Sequence, residues 1–219
     1  AMFRTRSCHA VACLLALLTC LASGPLAAQT LGTGVLLVAS PDIRDSGFAR
    51  TVVLILRHDT QNGTVGLIVN RPTNLEPAAV FPEIGERLGD YPGRLFRWGP
   101  IASTRVLSLV RGLAAATVQG PEIVDKVFLS IDAEALSEIT RLAEGTDELR
   151  LFAGHSAWVP GQLEAEIRAG GWKVFPADAD LVFSADPSKL WTELDRLAPS
   201  GAEVVAGVAR RGAATALRR

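Results

Sequence analysis

The chain is poor in the residues that usually announce chemistry. Of its 219 residues, three are cysteine, three histidine, one tyrosine and one methionine. All three cysteines (Cys8, Cys13 and Cys20) fall before residue 29. A mature chain that begins there has no disulfide, no thiolate metal site and no cysteine nucleophile. No apolar run reaches the about 20 residues that a membrane helix needs. No phosphate-cradling loop of the Walker type occurs, and no Gly-x-Gly-x-x-Gly follows a strand, so nucleotide binding has no signal. An excess of positive charge is missing too, with 22 Lys and Arg against 23 Asp and Glu. What remains, 48% hydrophobic and 21% charged residues, is the composition of a globular domain with a core of its own.

The N-terminus reads as an address. Arg4 and Arg6 precede a largely apolar run from Ala10 to Ala22, and Gly24-Pro25 and Leu26-Ala27-Ala28 follow it. A basic start, a short apolar stretch and small residues after it fit a secretory signal peptide, residues 1–28, with cleavage after Ala28. The expectation is a periplasmic or secreted protein. The alternative is a domain anchored by an uncleaved N-terminus. Loss of that segment removes two arginines and no acid, which leaves the mature chain at net −3.

Charge is uneven along the rest. Residues 201–219 hold four Arg and one Glu, whereas residues 29–200 hold 16 basic and 22 acidic residues, net −6. Phosphate contacts need clustered Lys and Arg, so a nucleic-acid partner is not expected of this acidic body. The basic C-terminal stretch, 199–219, is expected to be a solvated tail.

Short β-branched runs dominate the first third. Gly34 to Ala39, Thr51 to Arg57 and Thr64 to Asn70 show little alternation, which predicts strands buried on both faces. Asn62-Gly63 between the second and third predicts an antiparallel hairpin. Further strands are expected at Arg94 to Trp98, Val106 to Val110, Lys126 to Ile131, Leu149 to Ala153 and Asp180 to Ser184. Helices are expected at Ala133 to Ala143 behind an Asp132 cap, at Pro160 to Ala169, and from Asp186-Pro187 onward. A weaker one, interrupted by Pro77 and Pro82, is expected from Glu76 to Leu88. With neither a repeat nor a Ser/Gly linker, the body reads as one α/β domain from 31 to 198. The early hairpin argues against a simple doubly wound parallel sheet.

Candidate chemistry is sparse. His58 and His155 are the histidines left after residue 28, and no His-x-x-x-His spacing links them. A zinc site would need a carboxylate beside both, so neither a metal nor a cofactor is expected. Gly154-His155-Ser156-Ala157-Trp158 starts like a nucleophile elbow, but Trp158 replaces its last glycine and no histidine follows residue 155. Glu164 and Glu166 lie two apart on an expected helix and so point apart, as on a solvated face. Two segments gather polar groups at element ends, Gly66 to Pro72 and Trp158 to Glu164. They nominate a rim of Asn70, Arg71, His155, Trp158, Gln162 and Glu164 for an unidentified small molecule or protein.

Taken in order, several segments resemble the YqgE/AlgH family. They are Gly34-Val35-Leu36-Leu37-Val38-Ala39-Ser40-Pro41, Asp45, Phe48, Arg50-Thr51-Val52-Val53-Leu54, His58-Asp59, Gly66 to Pro72, Gly99-Pro100, Phe152 to Glu164, and Trp172. The resemblance covers residues 31 to 185. This chain departs from the family where it has Trp98-Gly99-Pro100-Ile101 and Gly154-His155-Ser156-Ala157-Trp158. Both departures replace or shift a glycine at what the resemblance implies are tight turns. The resemblance implies one α/β domain, α+β-like, with a curved, barrel-like mixed β-sheet flanked by helices. It implies no established enzyme activity. Members are typically cytoplasmic, unlike the export expected here. One branch is labelled a regulator of alginate synthesis, but no helix-turn-helix pattern occurs in this chain. The leading expectation is a non-enzymatic binding or regulatory domain. A hydrolase pairing His58 or His155 with Asp45, Asp59 or Glu164 is the first alternative, and a transcriptional regulator the second.

Overall fold

A computed structural model describes residues 30–96 and 101–197, with residues 102–105 described in their backbone only. The expected signal peptide, the tail from 198 onward and the Trp98-Gly99-Pro100 segment lie outside the described residues.

Three buried strands begin the fold. They are β1 (Val35–Ala39), β2 (Val52–Asp59) and β3 (Gly63–Ile68), joined antiparallel with Leu36 opposite Leu54 and Leu54 opposite Leu67. As the lack of alternation requires, both faces are covered. Leu36, Val38, Leu54 and Leu67 enter one core cluster, while Leu37, Val53, Ile55 and Ile68 enter a second on the other side. The hairpin turns at Gly63, whose φ of +83° is open to glycine.

The expected weak helix is broken by its prolines into α1 (Pro77–Val80), a 3-10 turn and α2 (Gly85–Leu88). Then come β4 (Leu95–Phe96), β5 (Ile101–Val110), β6 (Glu122–Val124), β7 (Val127–Ser130), α3 (Leu136–Leu142) and β8 (Leu149–Trp158). The chain continues with α4 (Gln162–Arg168), β9 (Trp172–Pro176), α5 (Ala179–Val182) and α6 (Pro187–Leu197).

Among the described residues, nine strands join one sheet, ordered β6-β7-β5-β8-β3-β2-β1-β9, with β4 beside β8. Every pairing is antiparallel except β4 with β8, so the sheet is mixed. It curls into a half-barrel. A Cβ added at Gly34, just before β1, would lie 2.4 Å from the Ile123 carbonyl oxygen of β6. Strands far apart in sheet order therefore meet at Gly34, which has no side chain to keep them apart.

Three expectations are corrected. Asp180 to Ser184 is not a strand. Asp178 caps α5 by accepting the Leu181 N–H at 2.8 Å, and the Arg150 guanidinium binds the carbonyls of Val182 and Ser184 at its far end. Capping at both ends outweighs the strand propensity of Leu-Val-Phe. Trp172–Pro176, assigned to no element from the sequence, is the edge strand β9 and pairs with all of β1. Gly154-His155-Ser156-Ala157-Trp158 is not a turn. Strand β8 runs through it, pairing Ser156 with Gly66 and Trp158 with Thr64, so the nucleophile-elbow geometry is absent.

Candidate functional site

The candidate residues fall into three groups. Asn70 and Arg71, just past β3, hold a loop. The Asn70 side chain is buried, accepting the Val52 N–H at 2.7 Å and donating to the Arg50 carbonyl at 3.0 Å. Arg71 donates to the carbonyls of Ser46, Gly47 and Ala49. Two adjacent side chains thus capture the carbonyls of residues 46, 47, 49 and 50. Arg50 stays at a φ of +56°, a conformation that a non-glycine residue keeps only when its surroundings fix it. Asp45 serves the same loop by accepting the Gly47 N–H at 2.6 Å.

That loop carries Phe48 to the second group. The Phe48 ring stacks on Trp158 with centroids 5.7 Å apart and meets Trp172 edge-on at 5.4 Å. The two indoles lie edge-to-face at 5.9 Å. Trp158 and Trp172 are nearly fully buried, so their N–H groups need acceptors. Both donate to one oxygen, Oε2 of Glu166 on α4, at 3.0 and 2.8 Å. Gln162 donates to the other oxygen at 2.9 Å and accepts the Val159 N–H at 3.1 Å. Glu166 is therefore not on a solvated face, which corrects the sequence-based reading. The signal that could have found it is two tryptophans flanking one short helix, each needing an acceptor. The three rings pack against one another, with no cage between them for a ligand cation.

The third group lies beside it. His58 on β2, Thr64 on β3 and Trp158 on β8 are opposite one another across the sheet. The His58 Nδ1 is 2.8 Å from the Thr64 hydroxyl, and its Nε2 faces Glu164 Oε1 on α4 at 3.7 Å. Of the carboxylates considered as partners for a histidine, this is the one that approaches. Asp59 instead closes the hairpin, accepting the N–H groups of Gln61 and Asn62 at 2.7 and 2.8 Å. These hydrogen bonds stabilise the charged form and hold its carboxyl below the ordinary range. Hydroxyl, imidazole and carboxylate are in the order of a catalytic relay. However, Thr64 is only 2% exposed, so no substrate carbonyl reaches its hydroxyl.

His155 stands apart. It is half-buried opposite Ile101 of β5, and alternation puts it on the face of β8 away from Trp158. Of the six rim residues, Trp158, Gln162 and Glu164 come together at the corner between β8 and α4. Asn70 and Arg71 reach that corner through Phe48, and His155 does not reach it. Among the described residues no three metal-ligating side chains converge. A described concavity of about 520 Å³ lies elsewhere, between the 86–92 segment and α3. Arg87 and Arg141 line it, and each is already paired with a glutamate.

The comparisons with known proteins agree with this architecture. A family model described as "DUF179: AlgH-like" matches residues 36–200. A UPF0301 protein of Streptomyces avermitilis is 36% identical over 168 residues, covering 75% of this chain and 85% of the relative. A UPF0301 protein of Chlamydia muridarum is 34% identical over 163 residues, covering 74% and 83%. The crystal structure of a Corynebacterium diphtheriae protein superposes with a TM-score of 0.65 at 30% identity, covering 78% of this chain and 89% of that one. The solution structure of the AlgH protein from Pseudomonas aeruginosa gives 0.60 at 26% identity, covering 80% and 92%. Sequence pattern, curled sheet and relatives converge: the chain belongs to the AlgH-like family.

Proposed function

We propose that this is an exported, non-enzymatic AlgH-like domain that binds a small molecule or a protein at the corner between β8 and α4. The observation that carries the reading is how firmly that corner is built. Two indoles, a glutamine and a glutamate fix α4 to the sheet, and Asn70 and Arg71 fix the loop that supplies Phe48. Above this base Val159 is 67% exposed, with Pro160, Gly161 and Gln162 exposed beside it. A rigid base under exposed apolar and amide groups suits recognition, because little order is lost on binding. The buried Thr64 hydroxyl argues against a hydrolase. Export, supported by the N-terminal pattern, and the acidic body both argue against direct contact with DNA.

A photo-crosslinking residue placed at Val159 tests the binding surface. Leu113, 69% exposed on the α3 side of the fold, is the matched control. The expected result is one discrete adduct mass from position 159 in cells and none from position 113. The same adducts from both positions would overturn the assignment of this corner.

A further inference from the structure

We propose that the concavity between the 86–92 segment and α3 binds arginine side chains of the chain's own C-terminal segment, residues 199–219. The inference goes beyond the role proposed for the β8–α4 corner and shares no residue with it.

The lining is the first observation. At about 520 Å³ the concavity has the size of a ligand pocket. Tyr91 lines it, and its hydroxyl donates to the Leu149 carbonyl at 2.7 Å, which fixes the ring. Glu86 and Asp90 line it too, are exposed, and form no ion pair among the described residues. Arg87 and Arg141 are paired with other carboxylates, Glu134 and Glu138, at 2.6 Å each. An aromatic ring together with unpaired carboxylates suits a guanidinium, whose planar fork meets carboxylates while its face stacks on a ring.

Charge is the second. Residues 82–92 hold three acids and Arg87, and residues 132–148 hold six acids and Arg141. Together they are net −7, whereas residues 29–200 as a whole are net −6. The net acidity of the body is therefore carried entirely by the two segments that wall this concavity. Glu83, Glu134, Glu138 and Glu144 are exposed around it. A cationic partner is favoured at this face, and a second anion is repelled from it.

Reach names the occupant. Residues 199–219 carry Arg210-Arg211 and Arg218-Arg219 against one acid, Glu203, net +3. Helix α6 ends at Leu197. Fully extended, residues 198–219 span about 70 Å. A domain of this size is about 40 Å across, so the last arginine pair can reach any of its faces. Tethering holds these arginines at an effective concentration in the millimolar range, where surface ion pairs that are weak one by one suffice.

A photo-crosslinking residue at Ala214, between the two arginine pairs, tests this on the purified full chain. At low ionic strength the expected result is crosslinks within one chain, with peptides that join position 214 to residues 82–92 or 132–148. Glu86→Gln together with Asp90→Asn should lower their yield about tenfold through loss of charge-assisted contacts. Glu193→Gln, exposed on α6, makes the same change of charge elsewhere and should leave the yield unchanged. Salt at about 1 M, which cuts the screening length to about 3 Å, should lower the yield without any substitution in the domain. No crosslink, crosslinks spread over other segments, or a yield that either the double variant or salt leaves unchanged would overturn the proposal. Crosslinks between two chains would overturn it too, by placing the segment on a neighbouring copy. None of these outcomes bears on export or on crosslinking at Val159, which are tested separately.

Discussion

Replacing Glu166 with alanine should cost far more than truncating a helix-surface glutamate. The carboxylate accepts three N–H groups, from Trp158, Trp172 and Gln162. A hydrogen bond to a charged acceptor contributes about 1.5–3 kcal/mol, and a buried donor left unmade costs about 1–3 kcal/mol. Gln162 is exposed and can turn to water, so its bond adds little. The two indoles belong to side chains 3% and 1% exposed and cannot. Glu166→Ala should therefore destabilise by about 3–5 kcal/mol, which for a domain of this size lowers Tm by roughly 6–20 °C. Glu166→Gln keeps one oxygen for both indoles and turns an amide towards Gln162, so its cost should be about 1–2 kcal/mol. Urea unfolding followed by tryptophan fluorescence measures both variants. A Glu166→Ala midpoint within about 1 kcal/mol of the parent would refute the claim that this carboxylate anchors the aromatic corner.

Three further outcomes follow from the geometry. Gly34 and Gly161 both have positive φ, at +77° and +78°, but a Cβ meets the Ile123 carbonyl at the first and nothing at the second. Gly34→Ala should then cost more than about 2 kcal/mol and Gly161→Ala about 1 kcal/mol in denaturant unfolding; equal costs would contradict closure of the half-barrel at Gly34. The Ser156 hydroxyl is fully buried with no partner among the described residues, so Ser156→Ala should be neutral or stabilising by up to about 1 kcal/mol, and a large loss in the same assay would reveal a missed partner. The Asp59 carboxyl, held low by turn N–H groups, should titrate by NMR below its unfolded value of about 3.9. Its contribution to the hairpin is then fully present above that value and is lost as pH falls through the folded one.

The strands that were legible in the sequence are those whose instructions are local. Val52 to Ile68 carries its own hairpin, with β-branched residues on either side of Asn62-Gly63, and it forms as read. Where the outcome depends on contacts far along the chain, the sequence misleads. Leu181, Val182 and Phe183 look like strand, but Arg150, more than thirty residues away, takes the carbonyls that end a helix there. Burial pushes the pKa of that guanidinium down to about 10, yet it remains charged and stacks on Phe96 and Phe183. Residues 154 to 158 resemble a catalytic turn as text, yet pairing with β3 makes them strand. The candidate site was half legible. Trp158, Gln162 and Glu164 share a segment and a place, whereas Glu166 passed for surface because its partners lie six and eight residues away on two strands. Asn70 and Arg71 stood out as polar residues at a strand end, and their polarity is spent on backbone carbonyls.

Intact mass combined with cell fractionation, on the protein expressed in a Gram-negative host, tests the proposed role most directly. A mass lowered by residues 1–28, in the periplasmic fraction, is the predicted result, and it separates this domain from any direct action on DNA. Full-length protein in the cytosol would contradict export, and full-length protein in the membrane fraction would replace a free domain with an anchored one.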